Sequence, residues 1–327
     1  MSSIKAERLP GLNDFRFIKA NDSLAENINT WAPDRGFFCE HRRKWQYGNN
    51  YRVKRNRYDT FSFYIDTLAV SVKVHLYNEI GEELTTVISG IGYTGTSVPG
   101  NTYTRGGVDY VYQSIYHTFK FSDIYTMALS QQVFYIGLEC DYDTGDGAES
   151  TWYISEPIYV RKGSWPHTML IEATNGESDY NVMFEAFPPT LHFPGITFRQ
   201  RVEAYMSDEP APASTDTVFK DQDYSIQKLK SVPYRLFDLV VGGKSGVPKY
   251  MLDKINRCLS CDTVLIDGVQ WVKDEGANWS LTPATDYMMF AGKIRLQEYE
   301  HDGGMVYTNE GDAEERYHDD FHDDSHD

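Results

Sequence analysis

VPYRLFDLVVGGKSGVPKYMLDKINRCLSCDTVLIDGVQWVKDEGANW, residues 232–279, is the stretch from which the fold of this 327-residue chain is read. Tyr234 to Val241 has the aromatic and β-branched content of a strand and ends at Gly242-Gly243. A short helix over about 248–259 follows. Pro248 opens it, where a missing amide proton leaves no bond unmade. Leu252, Ile255 and Leu259 recur at helical spacing and form one apolar stripe, while Lys254 and Arg257 are expected to face water near the carboxyl end. Val264 to Ile266 and Val269 to Val272 then flank Asp267-Gly268, a dipeptide that tolerates the positive φ angles of a two-residue hairpin turn.

The same period-two pattern runs outward in both directions. Strands are expected at Phe61 to Ile65, Val70 to Leu76, Leu84 to Ser89, Tyr110 to Phe121, Gln132 to Leu138 and Thr151 to Val160. Gly90 to Gly107 reads as a long loop among them, free to reach another component. Beyond a hinge at Arg161 to Pro166, further strands are expected at Met169 to Ala173, Asn181 to Phe187, Ile196 to Tyr205, Tyr224 to Leu229 and Tyr287 to Tyr299. Asp208 to Thr217, rich in Pro, Ala and Ser, reads as a link without secondary structure. Strands without intervening amphipathic helices argue against βαβ units. The expected fold is therefore mostly β: two antiparallel β-sandwich-like domains at 52–160 and 161–299, the second with the one short helix. An N-terminal segment (1–51), read as an extended arm or a wrap over the first domain, and an acidic C-terminal tail (300–327) flank them.

The formal net charge of −17 is uneven. Arg316 alone opposes the many carboxylates after Tyr299, among them Asp319, Asp320, Asp323 and Asp324. Arg42, Arg43, Lys44, Arg52, Lys54, Arg55 and Arg57 crowd the segment before the first strand, interleaved with Trp45, Tyr47 and Tyr51. Cations among aromatics can grip a phosphate backbone, but an acidic chain repels the same polymer, so nucleic acid is not the expected partner except by contact with this segment. Opposite charge runs at the two ends suit docking between neighbouring copies. These residues are the candidate protein interface, with Trp279 as a further aromatic anchor.

Signals for chemistry are sparse. Cys258-x-x-Cys261 lacks a second ligand pair and lies at a helix carboxyl end, so reduced thiols are expected, as in a cytosol. Asp141 to Gly147 departs from the EF-hand calcium pattern and reads as an acidic turn. His318, His322 and His326 could line one helical face toward a metal, yet a solvated charge run is the expected reading. No GxSxG, HExxH, P-loop or Rossmann pattern occurs. No enzyme activity, metal or other cofactor is expected. With no apolar run of membrane-spanning length and no leader-like start, the chain is expected to be soluble, without a secretion signal and without a membrane partner.

Three stretches carry a resemblance: CEHRRKWQYGNNYRVKRNRYDTFSFYI (Cys39 to Ile65), WYISEPIYV (Trp152 to Val160), and FRQRVEAYM with the stretch quoted first. Together they resemble structural proteins of tailed phages and prophages of gut Bacteroidetes, crAss-like phages included. The resemblance implies a β-rich virion component of the tail, collar or baseplate region, present in several copies and made in the host bacterial cytoplasm. Its implied partners are copies of itself and other tail or portal-proximal proteins. A carbohydrate-binding adhesin or lectin-like module is the alternative, and a polysaccharide hydrolase comes third.

Overall fold

The computed structural model describes residues 7–8, 12–20, 53–69, 71–78, 82–84, 96–105, 108–122, 133–143, 148–174, 197–207, 209–220, 226–243, 246–283 and 289–299. The class is the expected one: mostly strand, largely antiparallel, with one helix among the described residues.

The first half contains β1 (Glu7–Arg8), β2 (Phe17–Ala20), β3 (Val53–Asn56), β4 (Thr60–Thr67), β5 (Ser71–Asn78), β6 (Thr96–Arg105), β7 (Val108–Lys120), β8 (Val133–Asp143), β9 (Ala148–Ser155) and β10 (Ile158–Arg161). One sheet has the order β1-β4-β7-β6. In the other, β5 lies along one side of β8, and β9 and β10 pair with successive parts of its other side. β2 pairs antiparallel with β9, and β3 pairs parallel with β10. Aromatic rings fill the space between the sheets. Phe61 stacks on Phe119 at 4.6 Å, Phe15 meets Phe61 edge-on at 4.8 Å, and Phe63 reaches Phe17 of the opposite sheet at 6.3 Å. The long loop expected at Gly90 to Gly107 is instead strand from Thr96 to Arg105. Its proline lies at a register shift between Pro99 and Asn101 on an edge strand, where a missing donor interrupts no inner ladder.

The second half contains β11 (Thr168–Thr174), β12 (Thr197–Met206), β13 (Ala211–Lys220), β14 (Ile226–Val241), β15 (Val247–Pro248), α1 (Lys249–Cys258), β16 (Thr263–Ile266), β17 (Val269–Lys273), β18 (Ser280–Pro283) and β19 (Met289–Glu298). β14 pairs with β12 on one edge and with β19 on the other, and β11, β16 and β17 complete the circuit. The result is a closed six-stranded antiparallel barrel, which removes most of the open edges that a flat sheet leaves. Ile171, Ala173, Phe198, Val202, Leu239, Val241, Ile294 and Leu296 are buried at alternate positions along its strands.

Gly242 marks the end of β14. Its φ is +100°, and a Cβ there would lie 2.7 Å from the carbonyl of Phe290, so only glycine fits. Asp267 and Gly268 both take positive φ, 49° and 86°, in the expected hairpin turn between β16 and β17. On α1 the stripe Leu252, Ile255, Leu259 is buried as expected, and Gly292 lets Leu252 and Trp279 approach the barrel wall.

Two further sequence expectations need correction. Asp208 to Thr217 is not an unstructured link: from Ala211 it is strand β13, and Tyr224 to Leu229 belongs largely to the long β14 paired with it. Lys254 does not face water, because α1 is covered on that side by the first half of the chain, leaving Lys254 only 3 % exposed. Of the two forms expected for the lead segment, its described residues take the wrap over the first domain. Leu12 and Phe15 are buried, and β1 and β2 each join one of the two sheets of the first half. The expected strand at 181–187, most of that at 84–89 and the whole of the acidic tail lie outside the described residues.

Candidate interaction sites

β14 covers the edge of β12 only at Ala204 to Met206, so the earlier part of that edge needs other partners. The first half supplies them from side chains. The backbone N–H of Arg199 donates to Asp14 Oδ1 at 2.6 Å, and Arg55 Nη2 donates to the carbonyl of Arg199 at 2.9 Å. Asp14 Oδ2 accepts the N–H of Ser62 at 2.7 Å, so one carboxylate joins β4 to β12. Beside it, Asn13 exchanges two hydrogen bonds with the backbone of Tyr64, at 2.7 and 2.9 Å, imitating a paired strand residue. A seam of polar side chains thus takes the place of a missing strand between the two halves.

Further charges close this seam. Arg201 is bidentate on Asp59, at 2.6 and 2.9 Å, with both side chains at most one-tenth exposed. Lys54 pairs with Glu203 and lies 5.3 Å over the ring of Trp165, whose indole N–H donates to the carbonyl of Arg55 at 2.9 Å. The stretch read as a hinge is anchored by these bonds. Fully buried Glu156 accepts from the backbone of Arg16 at 3.1 Å and from the hydroxyl of Tyr250 on α1. Burial raises the carboxyl of Asp14 to about 6, against the opposing pull of Arg55 and of the N–H groups of Arg199 and Ser62. Burial also lowers Lys254, whose Nζ has no hydrogen-bond acceptor among the described residues, although Glu156 and Asp14 attract its charge.

Of the residues expected to form an external interface, Arg42, Arg43, Lys44, Trp45, Tyr47, Tyr51, Arg52, Asp319, Asp320, Asp323 and Asp324 lie outside the described residues. Arg55 is corrected: it is 0 % exposed and belongs to the internal seam, with its guanidinium 5.0 Å over the ring of Phe15. Lys54 faces Glu203 within the same chain. Arg57 sits over the exposed ring of Tyr58 at 5.6 Å. Trp279 is half-buried against Gly292 and donates to Asn256 Oδ1 at 3.2 Å, which is packing within the second half.

A different surface stands out. β13 and the first part of β14 form a ribbon paired from Ala211↔Leu236 to Lys220↔Ile226. On β13 every residue is exposed except Pro-flanked Ala213, which is half-buried, so neither face of the ribbon rests on a core. The ladder shifts beyond Thr217, leaving Leu229 as an extra residue on β14. Leu229, Val218 and Phe219 are 64 %, 55 % and 51 % exposed. The β-branched and aromatic residues Thr215, Thr217, Val218 and Phe219 are the sequence signal for this strand, outweighed by the prolines before it.

Other candidates resolve into local structure. Asp141 accepts from the hydroxyls of Ser71 and Ser150 at 2.9 and 2.7 Å and pairs with Lys73 at 2.8 Å, so its carboxylate is engaged within the sheet. Cys140 and Cys258 are buried, Cys261 is half-buried, and burial pushes the Cys258 thiol up. Among the described residues no group of His, Cys, Asp and Glu could hold a metal ion, and no helix is long and apolar enough to cross a membrane. The His/Asp tail lies outside them. No family model, curated protein or solved structure matches the chain.

Proposed function

We propose that this chain is a non-enzymatic structural protein of a bacteriophage virion, present in several copies in a tail, collar or ring assembly and held there by protein–protein contacts. The β13–β14 ribbon is the observation that carries this reading. A two-stranded ribbon exposed on both faces is at best marginally stable in water, and this one presents Val218, Phe219 and Leu229 at its far end. Such an element gains its stability on a neighbour.

The body beneath it supports the same reading. Two β-rich halves joined by a buried seam of ion pairs make a stiff unit, and stiff units with projecting strands suit repeated assembly. In this reading Arg42 to Arg52 and the acidic tail add contacts between oppositely charged extremities of neighbouring copies. The partners are copies of the chain and other tail or portal-proximal proteins.

The test is the copy number and surroundings of the chain in intact particles, with sedimentation of the purified full chain over a concentration series. Several copies per particle, with ribbons against neighbours, are expected. A chain that stays monomeric at every concentration, and whose deletion leaves complete tails, overturns the proposal. Saturable, competable binding on a glycan array would move the reading to an adhesin.

A further inference from the structure

We infer that the outer edge of β13 pairs antiparallel with β13 of a second copy of this chain, about a two-fold axis at Val218. This rests on the multi-copy reading above and names the partner and the register. Among the described residues β13 has β14 on one edge and nothing on the other, and it ends the strand order of its sheet. Exposure on both faces means that an added strand meets no wall of side chains. Edge strands guard against such pairing with prolines, inward charges or short length. Here Pro212 lies at the start of the strand, and the eight residues after it carry no proline.

Charge selects the register. With the axis at Val218, Asp216 of each copy stands opposite Lys220 of the other, so the contact holds two opposite-charge pairs by symmetry. Centring the contact on Asp216 sets that carboxylate against itself, and centring it on Lys220 opposes two ammonium groups. In the favoured register Val218 meets Val218, Thr217 faces Phe219, and Pro212 falls outside the paired centre. Asp216 already holds Lys228 at 2.8 Å and accepts from the hydroxyl of Ser231 at 2.5 Å, so the incoming lysine extends an existing polar row. Two ribbons become a four-stranded sheet, with each Phe219 ring lying over the partner's Thr217. A two-fold contact closes on itself, pairing subunits and leaving any ring contact to other surfaces.

The full chain is examined by sedimentation equilibrium. Asp216→Lys and Lys220→Asp singly are expected to weaken the dimer on the order of tenfold. The double exchange Asp216→Lys/Lys220→Asp restores it, an outcome that general damage to the ribbon does not give. Val218→Cys is expected to form a disulfide-linked dimer under mild oxidation, whereas Thr215→Cys and the parent chain do not. A parent chain that remains monomeric, or a double exchange no better than the singles, overturns the inference. Particles with many copies in which Val218→Cys stays unlinked overturn this contact alone, while absence of the chain from particles overturns the functional reading as well.

Discussion

The seam and the ribbon solve the same problem, an open strand edge, in opposite ways. On β12 the exposed edge at Arg199 is sealed inside the chain by Asp14 and Arg55, both fully buried. On β13 the edge is left uncovered among the described residues, and Asp216 with its ion-pair partner Lys228 on β14 is screened by water, the two side chains being 41 % and 54 % exposed. Ion pairs of similar geometry therefore have different weight. Breaking a buried pair strands a charge in low dielectric, whereas an exposed pair contributes little to folding. Charge in the seam holds one chain together, and charge on the ribbon is suited to choosing a partner and a register.

The contrast is breakable by substitution. The largest effect is expected at Asp59→Ala, which leaves Arg201 buried without its bidentate partner and should lower the unfolding free energy by about 3–5 kcal/mol. Urea denaturation measures it, and a loss below about 1 kcal/mol would mean that the seam is wetter than described.

Next comes the pH dependence of Asp14. Its folded carboxyl titrates at about 6, above its ordinary 3.8. Between those values the folded chain keeps a proton that the unfolded chain has released. Stability from this group is therefore fully present below about pH 4, falls as pH rises through 6, and changes no further above. The whole excursion is on the order of 3 kcal/mol. Subtracting the pH profile of Asp14→Asn from that of the parent should isolate the downward step, and a flat difference from pH 4 to 7 rejects it.

A smaller effect of opposite sign is expected at Lys254→Met, which replaces a buried amine lacking a hydrogen-bond acceptor with an apolar side chain of similar length. Thermal unfolding should show a gain of about 1 kcal/mol. Least of all, Phe219→Ser should leave the stability of the dilute monomer within about 0.5 kcal/mol. The same substitution weakens self-association in sedimentation. A large loss of monomer stability there would place the ribbon with the seam instead of opposite it.

Local structure was largely readable from local residues. The hairpin at Asp267-Gly268, the helix after Pro248 with its stripe Leu252, Ile255, Leu259, and the strands at Phe61 to Ile65, Val72 to Leu76 and Phe198 to Ala204 each follow from a pattern completed within a few residues. The errors share a cause. The prolines before Ser214 outweighed a strand signal, because a ribbon's open edges tolerate proline that an inner strand would not. Lys254 looked solvent-facing because helix periodicity records which face is apolar and carries no record of what covers the other face.

By itself, the sequence determined the mostly β class, the antiparallel habit, the single helix among the described residues and the places where the chain turns, since backbone preference and side-chain period act over short range. Tertiary structure alone decided that six strands close into a barrel, that Arg55 lies inside while Tyr58 three residues later is 77 % exposed, and that Asp14 meets Arg199 across 185 residues of chain. The reason is physical. A charged residue reads the same in sequence whether it is solvated or sealed, and its fate depends on which distant strand edge is left needing a hydrogen-bond partner.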